Sequence, residues 1–263
     1  MKLGIQEGLL PGQTLREKVL NAEQLGFEGL EIHGRGLTER IGEVEQALKG
    51  TRVKFSTICA GFGGCPLDAD KGERDKAWND IGDLLVTAGK LGAVGLIMVP
   101  IFGPPRIKDL SPWMDAITLE KNLYVEYLKR YGDVAAKAGT KILVEPLNRY
   151  ETHLLKRLED AVDICTRVKH PAVTILADFF HMGIEEDNTA AAIKAHAKWI
   201  DHVHLADSQR RQPGTGEKDF RPGFKALKAA KYKNYMTLEC GVVGDDRMKA
   251  LKATVRALEA AMK

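Results

Sequence analysis

Short apolar runs alternate along the chain with segments whose apolar residues recur every three or four positions. The runs are rich in Val, Ile and Leu, which is typical of strands buried on both faces of a parallel sheet. We assign eight of them as strands: 2–6, 27–33, 53–61, 93–100, 141–147, 173–180, 201–207 and 235–240.

The segments between these runs have the periodicity of amphipathic helices. Residues 68–92 begin with Asp68, end with Gly92 and carry Trp78 and Ile81 at helical spacing. The final segment carries one apolar stripe, formed by Met248, Leu251, Val255, Leu258 and Met262. The alternation predicts eight strand–helix units, and therefore an α/β fold of the closed (β/α)8 TIM-barrel type in a single domain over residues 1–263.

An open, doubly wound sheet is the alternative fold. It is disfavoured because no G-x-G-x-x-G segment follows the first strand and because acidic residues end strands that are distant in sequence. No linker, charge run or low-complexity segment divides the 263 residues. A single β/α barrel contains roughly 250 residues, so the length also fits one barrel.

Composition narrows the class of protein. The 39 basic and 36 acidic residues leave a formal net charge of +3, and no basic run with interleaved aromatic residues indicates a nucleic-acid partner. The N-terminal MKLGIQEG lacks the apolar core of a signal peptide, and no apolar run approaches the ~18 residues of a membrane span. Four cysteines without C-x-x-C spacing are typical of reduced thiols. We therefore expect a cytoplasmic protein with no membrane partner.

Four predicted strands end in residues that could bind a metal ion. Glu145, Asp178, His204 and Glu239 lie at the C-terminal ends of the fifth to eighth strands, and that end carries the chemistry in β/α barrels. Any one of them could instead cap a helix or pair with a lysine. Together they suit one divalent cation, since carboxylate oxygens and one imidazole are compatible with manganese, cobalt, magnesium or zinc.

Further polar residues lie near these strand ends. His202 faces the same side of its strand as His204, and its deeper position predicts a hydrogen-bonded core histidine. His181 comes three residues after the predicted aspartate ligand, so we expect it over the same mouth of the barrel. Arg210 lies in SQRRQPGTGE, and the loop of residues 207–220 is predicted to cover the site with Arg210 as its substrate contact. The GTG of this loop matches no phosphate-binding motif.

Four separated segments resemble the xylose-isomerase-like barrel superfamily, and within it the ketose 3-epimerases typified by D-tagatose and D-psicose 3-epimerases. EPLNRYETHLL resembles the E-x-x-N-R-[FY]-E segment of that branch, and DFFHMGIEED resembles its D-x-F-H-M-x-I-E-E segment. HVHLADSQRRQPGTG resembles its H-x-x-x-x-x-R-x-x-P-G-x-G loop, and TLEC supplies the last glutamate. The resemblance covers the C-terminal half in detail and the N-terminal half only as barrel topology.

The resemblance implies a role for each matching residue. The implied metal ligands are Glu145, Asp178, His204 and Glu239. They would bind one divalent ion, with Mn²⁺ as the first choice and Mg²⁺ or Co²⁺ as alternatives. Glu145 and Glu239 would also be the catalytic acid and base. The implied substrate contacts are Glu151, His181 and Arg210. The resemblance further implies a small-molecule sugar substrate and a homo-oligomer, either a dimer or a tetramer.

The implied reaction is inversion of a carbon next to a ketone in a sugar. A divalent cation that binds the carbonyl and the neighbouring hydroxyl stabilises the cis-enediolate formed by proton removal. One carboxylate removes the proton, and a second returns it on the opposite face. Because Glu145 and Glu239 come from distant strands, the sequence favours epimerisation over isomerisation. The resemblance implies that the inverted carbon is C3 of a ketose or keto-sugar derivative.

Other functions of this barrel remain alternatives. Aldose–ketose isomerases such as hydroxypyruvate isomerase, and dehydratases such as inosose dehydratase, share much of the metal set. An endonuclease IV-like repair enzyme needs three zinc ions and additional histidines, which the third and fourth strands lack. A non-catalytic sugar-binding barrel is disfavoured because both base positions are carboxylates. Departures from the 3-epimerase pattern at Gln6, Glu7 and His33, and in VPIFGPPRIKDLSPW, leave the sugar itself unpredicted.

Overall fold

Eight parallel strands close into a barrel in which each strand pairs with its sequence neighbours and the last strand pairs with the first. The computed structural model describes residues 1–263. The strands are β1 (Lys2–Gln6), β2 (Gly29–His33), β3 (Lys54–Cys59), β4 (Gly95–Met98), β5 (Ile142–Val144), β6 (Val173–Asp178), β7 (Ile200–Leu205) and β8 (Tyr235–Leu238). The predicted (β/α)8 barrel is therefore confirmed.

Nine α-helices alternate with these strands. They are α1 (Leu15–Leu25), α2 (Ile41–Leu48), α3 (Lys71–Lys90), α4 (Ala116–Ala138), α5 (Leu158–Val168), α6 (Phe179–Glu185), α7 (Thr189–His196), α8 (Arg221–Ala229) and α9 (Arg247–Met262). The side chains of Thr14, Asp70 and Asp115 cap α1, α3 and α4 by accepting a backbone hydrogen bond from the first turn. None of the nine helices combines the length and the apolarity needed to cross a membrane.

Apolar side chains fill the layer between the barrel and the helices. One continuous cluster of 58 buried residues joins strands to helices around the whole barrel. Within it, Trp78 of α3 is buried and stacks on Tyr127 of α4 with ring centroids 4.6 Å apart. This layer fixes the positions of the strands, and therefore of the side chains at their ends.

The interior of the barrel is apolar on one side and polar on the other. Ile97, Leu143 and Leu176 form a separate buried cluster on β4, β5 and β6. Leu176 lies beside His202 of β7 in the sheet register, so both side chains point to the same face of the sheet. Glu31 on β2 is also fully buried and contacts His202. The polar half of the interior thus joins β2 to β7.

The predicted end of the sixth strand is wrong. The pattern predicts a strand over residues 173–180, but β6 stops at Asp178 and α6 begins at Phe179. Asp178 Oδ1 accepts a hydrogen bond from the backbone N–H of Phe180 at 2.6 Å, which caps the new helix. The two phenylalanines therefore belong to a helix, although their apolar character suits a strand equally well.

The third strand also ends earlier than predicted. It stops at Cys59, because Ala60 and Gly61 adopt left-handed conformations with φ of 46° and 94°. After β2, residues Thr38–Arg40 form a 3₁₀ turn, and α2 begins directly behind it at Ile41. The patterns predict these elements correctly and their ends less well, since an end depends on one or two residues.

Candidate active site

The four predicted metal ligands converge at the C-terminal mouth of the barrel. Glu145 directly follows β5, and Asp178 is the last residue of β6. His204 lies in β7, and Glu239 directly follows β8. One ligand atom from each residue lies within 4.8 Å of the others. Residues distant in sequence meet here because the strands of a closed parallel barrel all end at the same rim.

Polar atoms without partners mark the centre of this cluster. Glu145 Oε1, Asp178 Oδ2 and His204 Nδ1 are buried and have no hydrogen-bond partner. His204 Nδ1 lies 3.2 Å from Glu239 Oε2 and 3.6 Å from Glu145 Oε1. Buried polar atoms without partners are uncommon because each one costs free energy. A donor set of three carboxylates and one imidazole fits a divalent cation such as Mn²⁺, Mg²⁺, Co²⁺ or Zn²⁺.

The two glutamates of the cluster differ in acidity. Burial raises the pKa of Glu145 to about 7. Burial also raises the pKa of Glu239, but the positive charges of His204 and Arg210 outweigh it and lower the pKa to about 2. Burial lowers the pKa of His204, yet the carboxylates of Glu31 and Glu239 raise it well above its usual value. Two carboxyl groups with separated pKa values are typical of an acid–base pair.

The three predicted substrate contacts lie beside this cluster. Arg210 Nη2 donates to Glu239 Oε2 at 2.7 Å, and its Nη1 donates to Glu151 Oε1 at 3.3 Å. Asn148 Nδ2 donates to Glu151 Oε1 at 2.8 Å and lies 2.8 Å from Nδ1 of the buried His181. The structure therefore brings Glu151, His181 and Arg210 together. It adds Asn148, which lies in the same EPLNRYE motif and for which the sequence predicts no role.

Residues 207–220 form a compact loop at the rim. The buried carboxylate of Asp207 accepts hydrogen bonds from four backbone N–H groups at 2.7–3.0 Å. The donors are Ser208, Gly214, Gly216 and Lys218. A Cβ at Gly216 would lie 2.4 Å from Asp207 Oδ1. The second glycine of the GTG sequence therefore leaves room for this carboxylate. Arg210 has a φ of 53°, a conformation that costs a non-glycine residue about 1–2 kcal/mol.

Four residues on the N-terminal strands were not predicted as part of the site. They are Gln6, Glu31, Thr57 and Cys59. Gln6 Nε2 donates to Glu31 Oε1 at 2.9 Å and to Glu239 Oε1 at 3.1 Å. Cys59 Sγ lies 3.6 Å from the same oxygen of Glu239. Only Glu31 had a sequence feature that could have indicated its place in the site, because it is a charged residue inside the apolar strand sequence GLEIH. His202 is the buried, hydrogen-bonded histidine that the alternation predicted.

A cleft of about 270 Å³ opens at the C-terminal ends of β2, β3 and β4, on the same mouth of the barrel as the cluster. Its walls include His33, Phe62, Phe102 and Arg106. Ala60, which also lines the cleft, directly follows the Cys59 that contacts Glu239. The mouth of the barrel therefore carries an apolar and cationic cleft as well as the polar cluster, and the cleft is built partly from the segments that depart from the 3-epimerase pattern.

The fold and this constellation define a class of protein. The chain belongs to the xylose isomerase-like TIM barrel family, whose model matches residues 19–261. The chain is 32% identical over 254 residues to the 3-dehydro-D-guloside 4-epimerase of Escherichia coli (strain K12), which covers 96% of this chain and 97% of that protein. The crystal structure of a 3-keto-D-glucoside 4-epimerase from E. coli, in its apo form, has a TM-score of 0.90 at 31% identity, with 99% of each chain covered.

Ketose 3-epimerases match a smaller part of the sequence. The D-psicose 3-epimerase of Ruminiclostridium cellulolyticum is 35% identical over 92 residues, which is 35% of this chain and 31% of that protein. The crystal structure of D-psicose 3-epimerase with D-tagatose from Clostridium cellulolyticum H10 has a TM-score of 0.87 at 22% identity, which shows a shared fold. These relatives confirm the predicted family and the predicted enzyme class, an isomerase of the carbohydrate-epimerase type.

Proposed function

We propose that the protein is a divalent-metal-dependent epimerase that inverts C4, the carbon next to the ketone, of a 3-keto-glycoside. The observation that carries this proposal is the meeting of two carboxylates from distant strands, Glu145 and Glu239, in one candidate cation site. The similarity to a 3-dehydro-D-guloside 4-epimerase, which extends over 96% of the chain, supports the substrate class.

The cation would be held by the four residues of the cluster, Glu145, Asp178, His204 and Glu239. Three hard oxygen ligands and one imidazole favour Mn²⁺ or a similar ion over a cluster of three zinc ions. The absence of histidine from β3 and β4 also argues against three ions. When bound, the cation would stabilise negative charge on the sugar oxygens beside the reacting carbon.

Two carboxylates allow inversion without a redox step. One removes the proton from the carbon next to the ketone, and the electron pair of the broken C–H bond moves toward the carbonyl. The other returns a proton to the opposite face of that carbon, so the configuration inverts and no atom is gained or lost. Glu145 and Glu239 are the two glutamates of the cluster, and one would be the base while the other is the acid. The roles exchange in the reverse direction.

The remaining residues of the mouth would orient the sugar. Arg210, Glu151 and His181 form one hydrogen-bonded group beside the carboxylates, so their donors and acceptors can meet ring hydroxyls. The cleft of about 270 Å³ would receive the group attached to C1 of the glycoside. Its aromatic walls, Phe62 and Phe102, suit an apolar substituent or the face of a second sugar ring.

A second candidate is C3 epimerisation of a free ketose. The motifs of the C-terminal half favour it, as does the 35% identity over 92 residues to a D-psicose 3-epimerase. The chemistry is the same in both cases, since C3 of a 2-ketose and C4 of a 3-keto sugar each lie next to a ketone. The two functions differ in whether the protein must accommodate a substituent on C1.

Product analysis in deuterated water distinguishes these functions. The Mn²⁺-loaded protein would be incubated with methyl 3-keto-β-D-glucopyranoside and, separately, with D-fructose, and the products read by NMR. We expect the 4-epimer of the glycoside, with solvent deuterium at C4. Deuterium at C3 of the ketose with no turnover of the glycoside would favour the second candidate, and an aldose product would favour an isomerase. No turnover of either sugar would contradict the proposal.

Two variants test the carboxylate pair. Because loss of an acid–base group costs ~10²–10⁴-fold in rate, Glu145→Gln and Glu239→Gln should each lose activity to this extent at matched metal content. Glu217→Gln is the control, because this carboxylate is exposed in the loop at the same mouth and makes no ion pair. Near-normal C–H exchange in both fully metallated glutamine variants would refute the two-base mechanism.

A further inference from the structure

The carboxylate of Glu31 lies behind His204, on the side of the ring away from the candidate cation site. Glu31 is in the middle of β2 and fully buried. It accepts hydrogen bonds from Thr57 Oγ1 at 2.6 Å and from Gln6 Nε2 at 2.9 Å. Nε2 of His202 lies 3.0 Å from it, and Nε2 of His204 lies 3.1 Å from it. A buried carboxylate is costly unless donors surround it, so side chains from three other strands are arranged around this one group.

We propose that Glu31 is a positioning residue that fixes the ring of His204, and the nitrogen that carries its proton, for metal binding. The proposal rests on the cation site of the proposed function. An imidazole that binds a metal through one nitrogen carries its proton on the other. Because Nε2 of His204 faces the Glu31 carboxylate, that nitrogen is the donor, and the lone pair of Nδ1 is left for the cation. Nδ1 is buried beside Glu145 and Glu239 without a hydrogen-bond partner, as a ligand atom should be.

Gln6 extends this network to a second candidate ligand. Its Nε2 donates to Glu31 Oε1 at 2.9 Å and to Glu239 Oε1 at 3.1 Å. A glutamine amide nitrogen carries two protons, so both hydrogen bonds can form at once. Glu31 therefore holds His204 directly and Glu239 through Gln6, which connects one buried carboxylate to two of the four cluster residues.

A second cation bound by the same atoms is the competing explanation. Glu31, His202 and His204 offer ligand atoms within 4.8 Å of one another. Hydrogen bonding accounts better for the arrangement, because the two oxygens of Glu31 already accept from Thr57 and Gln6. A second ion would also occupy Nε2 of His204, and a ring bound at both nitrogens must lose both of its protons. The number of ions bound per chain separates the two explanations.

Glu31→Gln tests the proposal in the full-length protein. Glutamine keeps the size of the side chain, but it has one accepting oxygen and turns an NH₂ group toward a histidine N–H. Since supporting partners of metal ligands are typically worth 10–100-fold in metal affinity, we expect the Kd for Mn²⁺, measured by titration calorimetry, to rise by about that factor. Glu28→Gln, an exposed carboxylate just before the same strand, should leave the Kd unchanged.

A second measurement reports on the ring itself. In the Zn²⁺-loaded protein, ¹⁵N NMR should place a proton that exchanges slowly with solvent on Nε2 of His204, and Glu31→Gln should remove this protection. A merely structural role of Glu31 would lower the Tm without weakening Mn²⁺ binding. The combination of weaker binding and an altered His204 signal is therefore specific to positioning.

Each outcome decides the proposal. An unchanged Kd in Glu31→Gln overturns the positioning role and leaves the proposed function intact. Two ions per wild-type chain, with one lost in the variant, would reveal a second cation site and overturn it as well. A wild-type chain that binds no Mn²⁺ contradicts both proposals. If Glu31→Gln does not fold, Thr57→Val removes the 2.6 Å hydrogen bond to Glu31, together with the longer contacts of the Thr57 hydroxyl to Ser56 and His202. The Kd should then rise roughly 2- to 10-fold, the equivalent of one hydrogen bond to Glu31, and an unchanged Kd overturns the proposal.

Discussion

Replacing Asp207 with asparagine tests whether the loop of residues 207–220 delivers Arg210 to the active site. Each oxygen of the Asp207 carboxylate binds two backbone N–H groups. Ser208 and Lys218 donate to Oδ1, while Gly214 and Gly216 donate to Oδ2. Asparagine keeps one accepting oxygen and turns an NH₂ group toward the other pair of N–H groups. Two of the four hydrogen bonds must therefore be lost.

The size of the effect follows from these contacts. A hydrogen bond to a charged acceptor contributes about 1.5–3 kcal/mol, so two of them amount to about 3–6 kcal/mol. The loop can open while the barrel stays folded. The lost hydrogen-bond free energy therefore destabilises the ordered conformation of the loop and not the fold of the barrel. We expect the Tm to fall by less than about 4 °C, the shift that 1 kcal/mol of global destabilisation causes in a protein of this size. Losing the placement of Arg210 should lower kcat/KM by about 10- to 150-fold, since one charged hydrogen bond to substrate is lost.

Three measurements check this prediction. Hydrogen exchange should increase in residues 207–220 of Asp207→Asn, the epimerase assay should show the lower kcat/KM, and metal content should stay unchanged. Asp115→Asn is the control, because asparagine also caps a helix well and Asp115 caps α4 from an exposed position. Unchanged hydrogen exchange would refute the account of the Asp207 contacts. Faster exchange with wild-type kcat/KM would refute the role of the loop in placing Arg210.

Three further outcomes follow from the site and the fold. Arg210→Ala should lower kcat/KM by about 10- to 150-fold without loss of metal, whereas Arg211→Ala, at an exposed position, should leave kcat/KM unchanged. Equal catalytic efficiency of the two variants would contradict the role of Arg210. Glu145 has a pKa of about 7 and His204 has a raised pKa, and both must lose protons to bind a cation. The affinity for Mn²⁺ should therefore rise roughly ten- to hundredfold for each pH unit as the pH increases toward 7. A calorimetric Kd that is constant from pH 5 to 7 would contradict this. Lys169→Gly should raise the Tm by about 2–4 °C, because Lys169 ends α5 in a left-handed conformation with a φ of 56°, which glycine adopts without strain. A lower Tm would show that contacts of the lysine side chain stabilise the fold by more than the strain costs.

The sequence predicts the barrel and the four cluster residues because the evidence for each is local. A short apolar run predicts a strand, and an acidic residue or histidine at its end predicts a side chain at the mouth. Glu145, Asp178 and Glu239 each satisfy this rule without knowledge of any other strand. Their convergence then follows from the closed barrel alone, since all parallel strands end at the same rim.

The contacts behind the cluster could not be predicted in the same way. Glu31 meets His204 across strands that are 173 residues apart in sequence, and nothing in either strand specifies that register. The turn at Asp207 depends on backbone N–H groups, which leave no side-chain pattern to recognise. A homo-oligomer, a cytoplasmic location and the extent of a single domain over residues 1–263 stay predictions of the sequence.

The pairing of β8 with β1 has a consequence for the order of folding. Residues 2–5 pair with residues 235–238, and Gln6 at the end of β1 meets Glu239, which is 233 residues away in sequence. A chain that leaves the ribosome N-terminus first must carry β1 with one edge unpaired until β8 has been synthesised. The candidate cation site is therefore completed only when the barrel closes. The gain of Mn²⁺ binding during refolding should mark that closing step, later than the appearance of helical structure.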